Sequence, residues 1–173
     1  MDVMNHTIRN VLLSESKYHK IPSELLDLNL SGLDLGKNFI FELSTQIGSF
    51  TNLEELDLGI NKISQLPSDL FGLKKLKVLK LGHNHFEHLP EDIKKCKSLE
   101  RLYLGKNQLK ALPDCIGELK HLRHIYLGNN HLQTWPLSLS SRNDITIYVG
   151  HSYPGTLPES FTGKIVHFPE LPH

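Results

Sequence analysis

Nowhere in this chain do apolar residues run for the roughly 20 positions a membrane-spanning helix requires, and its longest apolar stretches fall well short of that. The opening segment, MDVMNHTIRNVLLSESKYHK, also lacks the apolar core of a cleaved signal peptide, so the expectation is a protein not exported by that route. Net charge is missing as well. Nineteen basic and nineteen acidic side chains cancel, so no global field draws the molecule to nucleic acid or to an anionic membrane, and its electrostatics must be local. Cysteine is scarce, with Cys96 and Cys115 alone, and neither has the exposed, electropositive setting that a nucleophilic thiolate needs. There is no G-x-G-x-x-G cluster leading into a helix, which argues against a phosphate-cradling loop. The 173 residues are enough for one core, and no shift in composition marks a second domain, so one domain over 1–173 is expected.

What the chain does have is a period. Leu30, Leu53, Leu76, Leu99 and Leu122 open five copies of a 23-residue pattern, and the three copies from Leu53, Leu76 and Leu99 carry apolar residues at repeat positions 1, 4, 6, 11, 14, 18 and 21, Asn at 9 and Pro at 15. A unit this short cannot bury its own apolar face, so neighbouring units must stack into one continuous core. Degenerate copies flank the regular ones. Ile8, Val11, Leu13, Tyr18 and Ile21-Pro22 fit the template one residue short, and Asp144, Ile147, Val149, Leu157-Pro158 and Phe161 fit it again. Seven units result, at about 8–29, 30–52, 53–75, 76–98, 99–121, 122–143 and 144–166. The domain therefore divides into an N-terminal degenerate unit or cap (1–29), five regular units (30–143) and a C-terminal degenerate unit or cap (144–173). Residues 5–17 also fit a short capping helix, because Ile8, Val11 and Leu12 share helical spacing, but the template favours a strand. The Leu-x-Leu alternation in each unit predicts a short strand with its apolar side inward. The Pro-led second half predicts short helices or 3-10 turns on the opposite side. Strands are narrower than helices, so the parallel sheet should be concave.

The string Leu53-x-x-Leu56-x-Leu58-x-x-Asn61-x-Ile63-x-x-Leu66-Pro67 resembles the leucine-rich repeat motif, in the 23-residue Leu-Pro subtype of plant Ras-group proteins and bacterial effectors. The resemblance covers nearly the whole chain. It implies an α/β solenoid with a concave parallel sheet, and a non-enzymatic module that binds a protein partner on that sheet. It also implies that Asn38, Asn61, Asn84, Asn107 and Asn130 form a structural ladder whose amides bond the backbone of neighbouring loops. Extracellular members usually carry disulfide-bonded caps. None is present, so a reducing, cytoplasmic setting is expected, or delivery into a host cytosol without a cleaved signal. The short chain and its Lys-, Asn- and His-rich repeats are similar to effectors that intracellular bacteria inject into host cells. The fold hosts many unrelated functions, so two alternatives stay open: a substrate-recognition fragment of an enzyme such as a ubiquitin ligase, and a housekeeping adaptor.

Information about a partner should lie in the outward strand positions. Position 5 reads Leu12, Asp34, Asp57, Lys80, Tyr103, Tyr126 and Tyr148, and adjacent strands lie about 4.8 Å apart, so the three tyrosines should form a row. Position 3 adds Val78, Arg101 and His124. Positions 8 and 10 add His83, Lys106, Asn129 and His151, then His85, Gln108, His131 and Tyr153. Tyr and Arg dominate binding energy at interfaces because each offers rigid area and a polar tip. The bland alternative is that tyrosines merely suit a β-surface. The other half presents Asp34, Glu54, Glu55 and Asp57, so the face is polarised, or simply carries a solvated acidic patch.

The eleven histidines, His83-x-His85-x-x-His88 above all, invite a metal. Zinc ligands must converge to about 2.1 Å, whereas His85 and His131 stand two strands apart, so no metal and no cofactor are expected. Six glycines at position 7, from Gly36 to Gly150, are read as relieving crowding where each strand leaves the sheet. Cys96 falls at an apolar core position. In the tail GKIVHFPELPH, Leu171 would suit a translocation signal, and Pro169 and Pro172 would equally suit a blunted sheet edge. A monomer is expected, binding neither nucleic acid nor membrane.

Overall fold

The period in the sequence becomes a register in space. The computed structural model describes residues 10–150 and 160–168, and within them eight strands form one open parallel sheet in chain order. They are β1 Asn10–Leu12, β2 Gly32–Asp34, β3 Glu55–Asp57, β4 Val78–Lys80, β5 Arg101–Tyr103, β6 His124–Tyr126, β7 Thr146–Gly150 and β8 Lys164–Phe168. Repeat position 4 pairs with itself from strand to strand: Leu33 with Leu56, Leu79, Leu102, Ile125, Ile147 and lastly Ile165. All but Ile165 in this column are buried. Positions 1, 6 and 11 stack the same way, giving one core that runs the length of the solenoid, with Phe50, Phe71 and Phe86 as its largest fully enclosed side chains.

The second half of each of the first six units forms a 3-10 turn, and no α-helix occurs among the described residues. The regular turns are five residues long, as in Ser68–Gly72, Glu91–Lys95 and Asp114–Glu118. Pro67, Pro90 and Pro113 precede them in extended conformation. Proline fixes φ and lacks a donor, which suits the residue that opens a turn. Each turn buries its central apolar residue, Leu70, Ile93 or Ile116, and then has only a few residues in which to reach the next strand, too few for an α-helix.

The asparagines bind unit to unit. Asn84 Nδ2 donates to the Leu81 carbonyl of its own unit (3.1 Å) and to the Leu58 carbonyl of the preceding one (2.9 Å), while its Oδ1 accepts from the Ile63 N–H (2.9 Å). Asn61 and Asn107 repeat the arrangement. Asn38 and Asn130 do so at the two ends of the series. Each position-6 carbonyl between them therefore accepts two amide protons, one from its own Asn and one from the next. These groups would otherwise be buried and unpaired.

Position 7 is glycine because the next unit comes close, not because φ is positive, since no described glycine has positive φ. A Cβ on Gly82 would lie 3.2 Å from the Gly105 carbonyl oxygen. The left-handed residue is instead at position 8: Lys37, Ile60, His83, Lys106 and Asn129 all have φ between 51° and 58°.

At the N-terminal end the strand reading holds, and at the C-terminal end an expectation changes. Residues 10–12 form β1, so this part of the 5–17 segment is strand, while Ile8 lies outside the described residues. At the other end the unit expected to close at 166 closes earlier. Thr146 pairs with Lys164, a spacing of 18 in place of 22 or 23, and the tail segment Lys164–Phe168 is an eighth strand. The shortened unit passes so close to β7 that a Cβ on Gly163 would sit 2.5 Å from the Phe161 ring and 2.8 Å from two backbone carbonyls. Leu157, Pro158, Pro169, Leu171 and Pro172 lie outside the described residues.

Arg142 fastens this end. Its guanidinium donates to the carbonyls of Gly117 (3.0 Å) and Leu119 (3.1 Å) of the preceding unit and of Leu122 (2.8 Å) at the start of its own, and it pairs with Asp144 (2.6 Å).

Candidate protein-docking face

On the solvent side of β5–β7 the register sets Tyr103 beside Tyr126 and Tyr126 beside Tyr148. The rings stack: centroids are 4.2 Å apart in both pairs, with interplanar angles of 3° and 4°. Stacking uses the ring faces on each other and turns ring edges and hydroxyls toward solvent. Burial, together with the hydroxyl of Tyr103, pushes the Tyr126 phenol above its ordinary pKa, and burial and Tyr126 do the same for Tyr148. These two phenols thus stay protonated at neutral pH.

Beside it runs a second row, from position 3. Arg101 pairs in register with His124, His124 with Thr146 and Thr146 with Lys164. His124 Nδ1 and the Tyr148 hydroxyl are hydrogen-bonded at 3.1 Å, which links the two rows. Arg101 is exposed and makes no ion pair with any described carboxylate, whereas Arg123 is held by Asp144 at 3.0 Å. Glu100, Arg101, His121, Arg123 and His124 line an open cleft of about 330 Å³ at the border of the rows. Lys164 and Val166, which extend both rows onto β8, were missed by sequence reasoning because the last unit is short.

The acidic half is less polarised than the sequence suggested. Lys80 lies between Glu55 (2.8 Å) and Asp57 (3.3 Å). Burial works to lower the Lys80 ammonium pKa, but its two carboxylate partners outweigh it and hold the group above its ordinary value. Glu54 sits just before β3 and pairs with Lys77 at 2.7 Å. Asp34 and Asp57 each accept from the N–H two residues on, Gly36 and Gly59, at 2.8 Å, so they also shape the strand exit.

His83 and His85 are exposed in the loop after β4, and His83 is one of the left-handed residues. They border the sheet and are not part of the tyrosine cluster. No group of three metal-ligating side chains comes together among the described residues. His151 and Tyr153 lie outside them. Toward the other end of the chain, Phe39, Phe41 and Ile60 are exposed apolar side chains that the sequence did not single out, as is Leu12 at its expected outward position. Phe39 there stacks on His19 and lies under the Lys62 ammonium at 5.5 Å.

Both cysteines are free and buried. Burial raises the Cys96 thiol to about 11. Burial, followed by the Glu91 carboxylate, raises Cys115 to about 12, and its thiol also donates to the Glu91 carbonyl (3.3 Å). Neither is a nucleophile at neutral pH.

A family model described as leucine rich repeat matches residues 28–86, 51–109 and 75–132. Among solved structures, a leucine-rich repeat protein of Leptospira interrogans superposes with a TM-score of 0.75 at 28% identity, over 87% of this chain and 42% of that one. An internalin of Listeria monocytogenes superposes with a TM-score of 0.76 at 23% identity, over 94% of this chain and 48% of that one. The chain thus spans less than half the length of either. No curated protein sequence matches it significantly. No described helix is long and apolar enough to cross a membrane.

Proposed function

Because this chain belongs to the leucine-rich repeat family, whose members generally serve as protein-binding scaffolds, we propose that it is a non-enzymatic interaction module. Its partner protein docks on the solvent face of the sheet. The stacked row Tyr103–Tyr126–Tyr148 carries this reading. The rings are only part-buried, they hold one another in place, and Arg101 and His124 stand beside them in register. Rigid, amphipathic side chains of this kind lose little entropy on binding and are the usual anchors of protein interfaces. The core does not need them, so their stacking alone does not account for three tyrosines facing solvent.

The test is affinity capture from host-cell and bacterial lysates, with the intact protein compared with a variant in which all three tyrosines are Ala. Each stacked pair adds about 0.5–1.5 kcal/mol, so the variant should remain folded at reduced stability. It should lose several kcal/mol of binding, since single anchors often contribute about 2 kcal/mol. A folded variant that keeps the same partners at the same affinity refutes the docking face.

As a second reading we propose a recognition segment that presents substrates to a catalytic part of a longer protein, a ubiquitin ligase for example. Assay of the natural full-length product for transfer activity separates the two. Bacterial origin with delivery into a host cell is a finer proposal, supported by the 28% identity to the Leptospira protein and by the Lys-, Asn- and His-rich repeats. A translocation reporter fused to the chain, read in co-cultured host cells, tests it. We further propose a cytoplasmic monomer, to be checked by light scattering and cell fractionation.

A further inference from the structure

The protein is neutral overall, with 19 charges of each sign, yet its sheet face is not. All the carboxylates at positions 3 and 5 of the described strands, Asp34, Glu55 and Asp57, fall on β2 and β3, where Lys80 answers two of them. On β5–β8 the same positions hold Arg101, His124, Thr146 and Lys164 in one row and Tyr103, Tyr126, Tyr148 and Val166 in the other, with no carboxylate in either. Arg101 and Lys164 form no ion pair with a described carboxylate. Two cations and a histidine therefore face solvent beside the phenols, with Glu100 lining the adjoining cleft and the Tyr148 hydroxyl already bonded to His124.

The stacking decides what kind of anion fits. Bases of single-stranded nucleic acid bind by laying their faces on open aromatic rings. Here the rings lie at 4.2 Å on one another, so four of their six faces are already used and the row presents mainly ring edges, with the hydroxyls of Tyr103 and Tyr126 beside a Tyr148 hydroxyl bonded to His124. Such edges donate hydrogen bonds to carbonyls and carboxylates. The rows run across the strands, about 4.8 Å per strand, so from β5 to β8 they extend roughly 14 Å, the reach of four or five residues of extended chain.

Resting on the reading of this face as a docking surface, we propose that its occupant is an acidic extended segment of the partner protein. Its carboxylates pair with Arg101 and Lys164, and its backbone carbonyls accept from the hydroxyls of Tyr103 and Tyr126. Arg101 is the stronger anchor of the two, because its planar fork can take a carboxylate through two parallel bonds.

The experiment is an NMR titration of the intact, isotope-labelled protein with three 12-residue peptides of alternating sequence, Glu-Ala, Gln-Ala and Lys-Ala, and with a dT12 oligonucleotide. The Glu-Ala peptide should shift amide signals of 101–106, 124–128, 146–148 and 164–166. It should bind at least tenfold more tightly than the other two peptides and the oligonucleotide. The double variant Arg101→Glu/Lys164→Glu, exposed at both sites, should weaken it at least tenfold with its spectrum otherwise preserved, while Lys94→Glu on the turn side should not. If the Gln-Ala or Lys-Ala peptide shifts these residues as strongly, the acidic chemistry is wrong and the docking face survives. Tighter binding of the oligonucleotide there overturns the choice of a protein ligand. Shifts confined to other surfaces, or none with the acidic peptide at millimolar concentration, overturn the proposal, and the triple-tyrosine comparison then decides separately whether the face binds protein at all.

Discussion

Truncating Asn107 to Ala probes the ladder where it is most regular. The wild-type amide donates to the carbonyls of Leu81 (3.0 Å) and Leu104 (3.0 Å) and, more weakly, to Gly105 (3.5 Å), and it accepts from the Phe86 N–H (3.0 Å). The two leucine carbonyls are not orphaned by the change. Leu81 keeps Asn84 at 3.1 Å and Leu104 keeps Asn130 at 2.9 Å. The Phe86 N–H loses its only acceptor in a site that is fully buried. An orphaned buried donor costs about 1–3 kcal/mol and each of the two lost carbonyl bonds about 0.5–1.5 kcal/mol, so the sum centres near 4 kcal/mol. That is a large share of the roughly 5–15 kcal/mol that holds a domain together. Urea denaturation followed by circular dichroism gives the total, and hydrogen exchange at the Phe86 amide gives the cause. A loss below about 0.5 kcal/mol with Phe86 still protected would refute the reasoning. Asn107→Asp sharpens the test. It keeps the acceptor for Phe86 but sets a carboxylate against two carbonyls, so its pKa in the fold must rise above the unfolded value of about 3.9. The folded state then binds the proton more tightly than the unfolded state. Relative to wild type, this variant should gain stability as pH falls from 7 towards 4.

Ile60 is β-branched, exposed and left-handed, with φ of 54°; Ile60→Asn should raise thermal stability by about 1 kcal/mol, read as a higher melting temperature. Cys96 and Cys115 should resist iodoacetamide at pH 8 in the native protein and react fully in denaturant, as mass spectrometry of the intact chain would record; rapid native labelling would mean that the thiol-bearing turns open. Arg142→Ala should cost about 2–3 kcal/mol, because three carbonyls lose a shared donor. Arg142→Lys should recover little of it, since an ammonium cannot span that fork.

The regular units were legible because position and role coincide in them. Leu56, Leu79 and Leu102 are spaced 23 apart and pair in one column, and the same arithmetic brought Tyr103, Tyr126 and Tyr148 side by side. What the period could not carry was whatever breaks it. β8 escaped notice because Lys164–Phe168 lacks the Leu-x-Leu-Gly-x-Asn signature and follows a unit only 18 residues long. Nothing in the repeat singled out Arg142, since its three carbonyl partners lie 20–25 residues earlier. Ion pairing across units was equally hidden. Lys80 was read as part of the docking row, and its side chain reaches back to Glu55 and Asp57. A sequence pattern marks which face a residue occupies, but a long flexible side chain chooses its partner only when the neighbouring strands are in place.

The alignment of the backbone hydrogen bonds has a mechanical side. In this sheet they run from strand to strand along the length of the solenoid, so tension applied to its two ends pulls on each ladder in opening and not in shear. Bonds loaded that way yield in succession at low force, and each regular 23-residue unit that peels away releases about 75 Å of chain. Peeling should start at β1, which pairs over three residues against five between β7 and β8, and whose apolar partners Val11 and Leu13 are only partly buried. Held at both ends, such a molecule behaves as a soft spring that pays out from its N-terminal side while the tyrosine row keeps its geometry to the last.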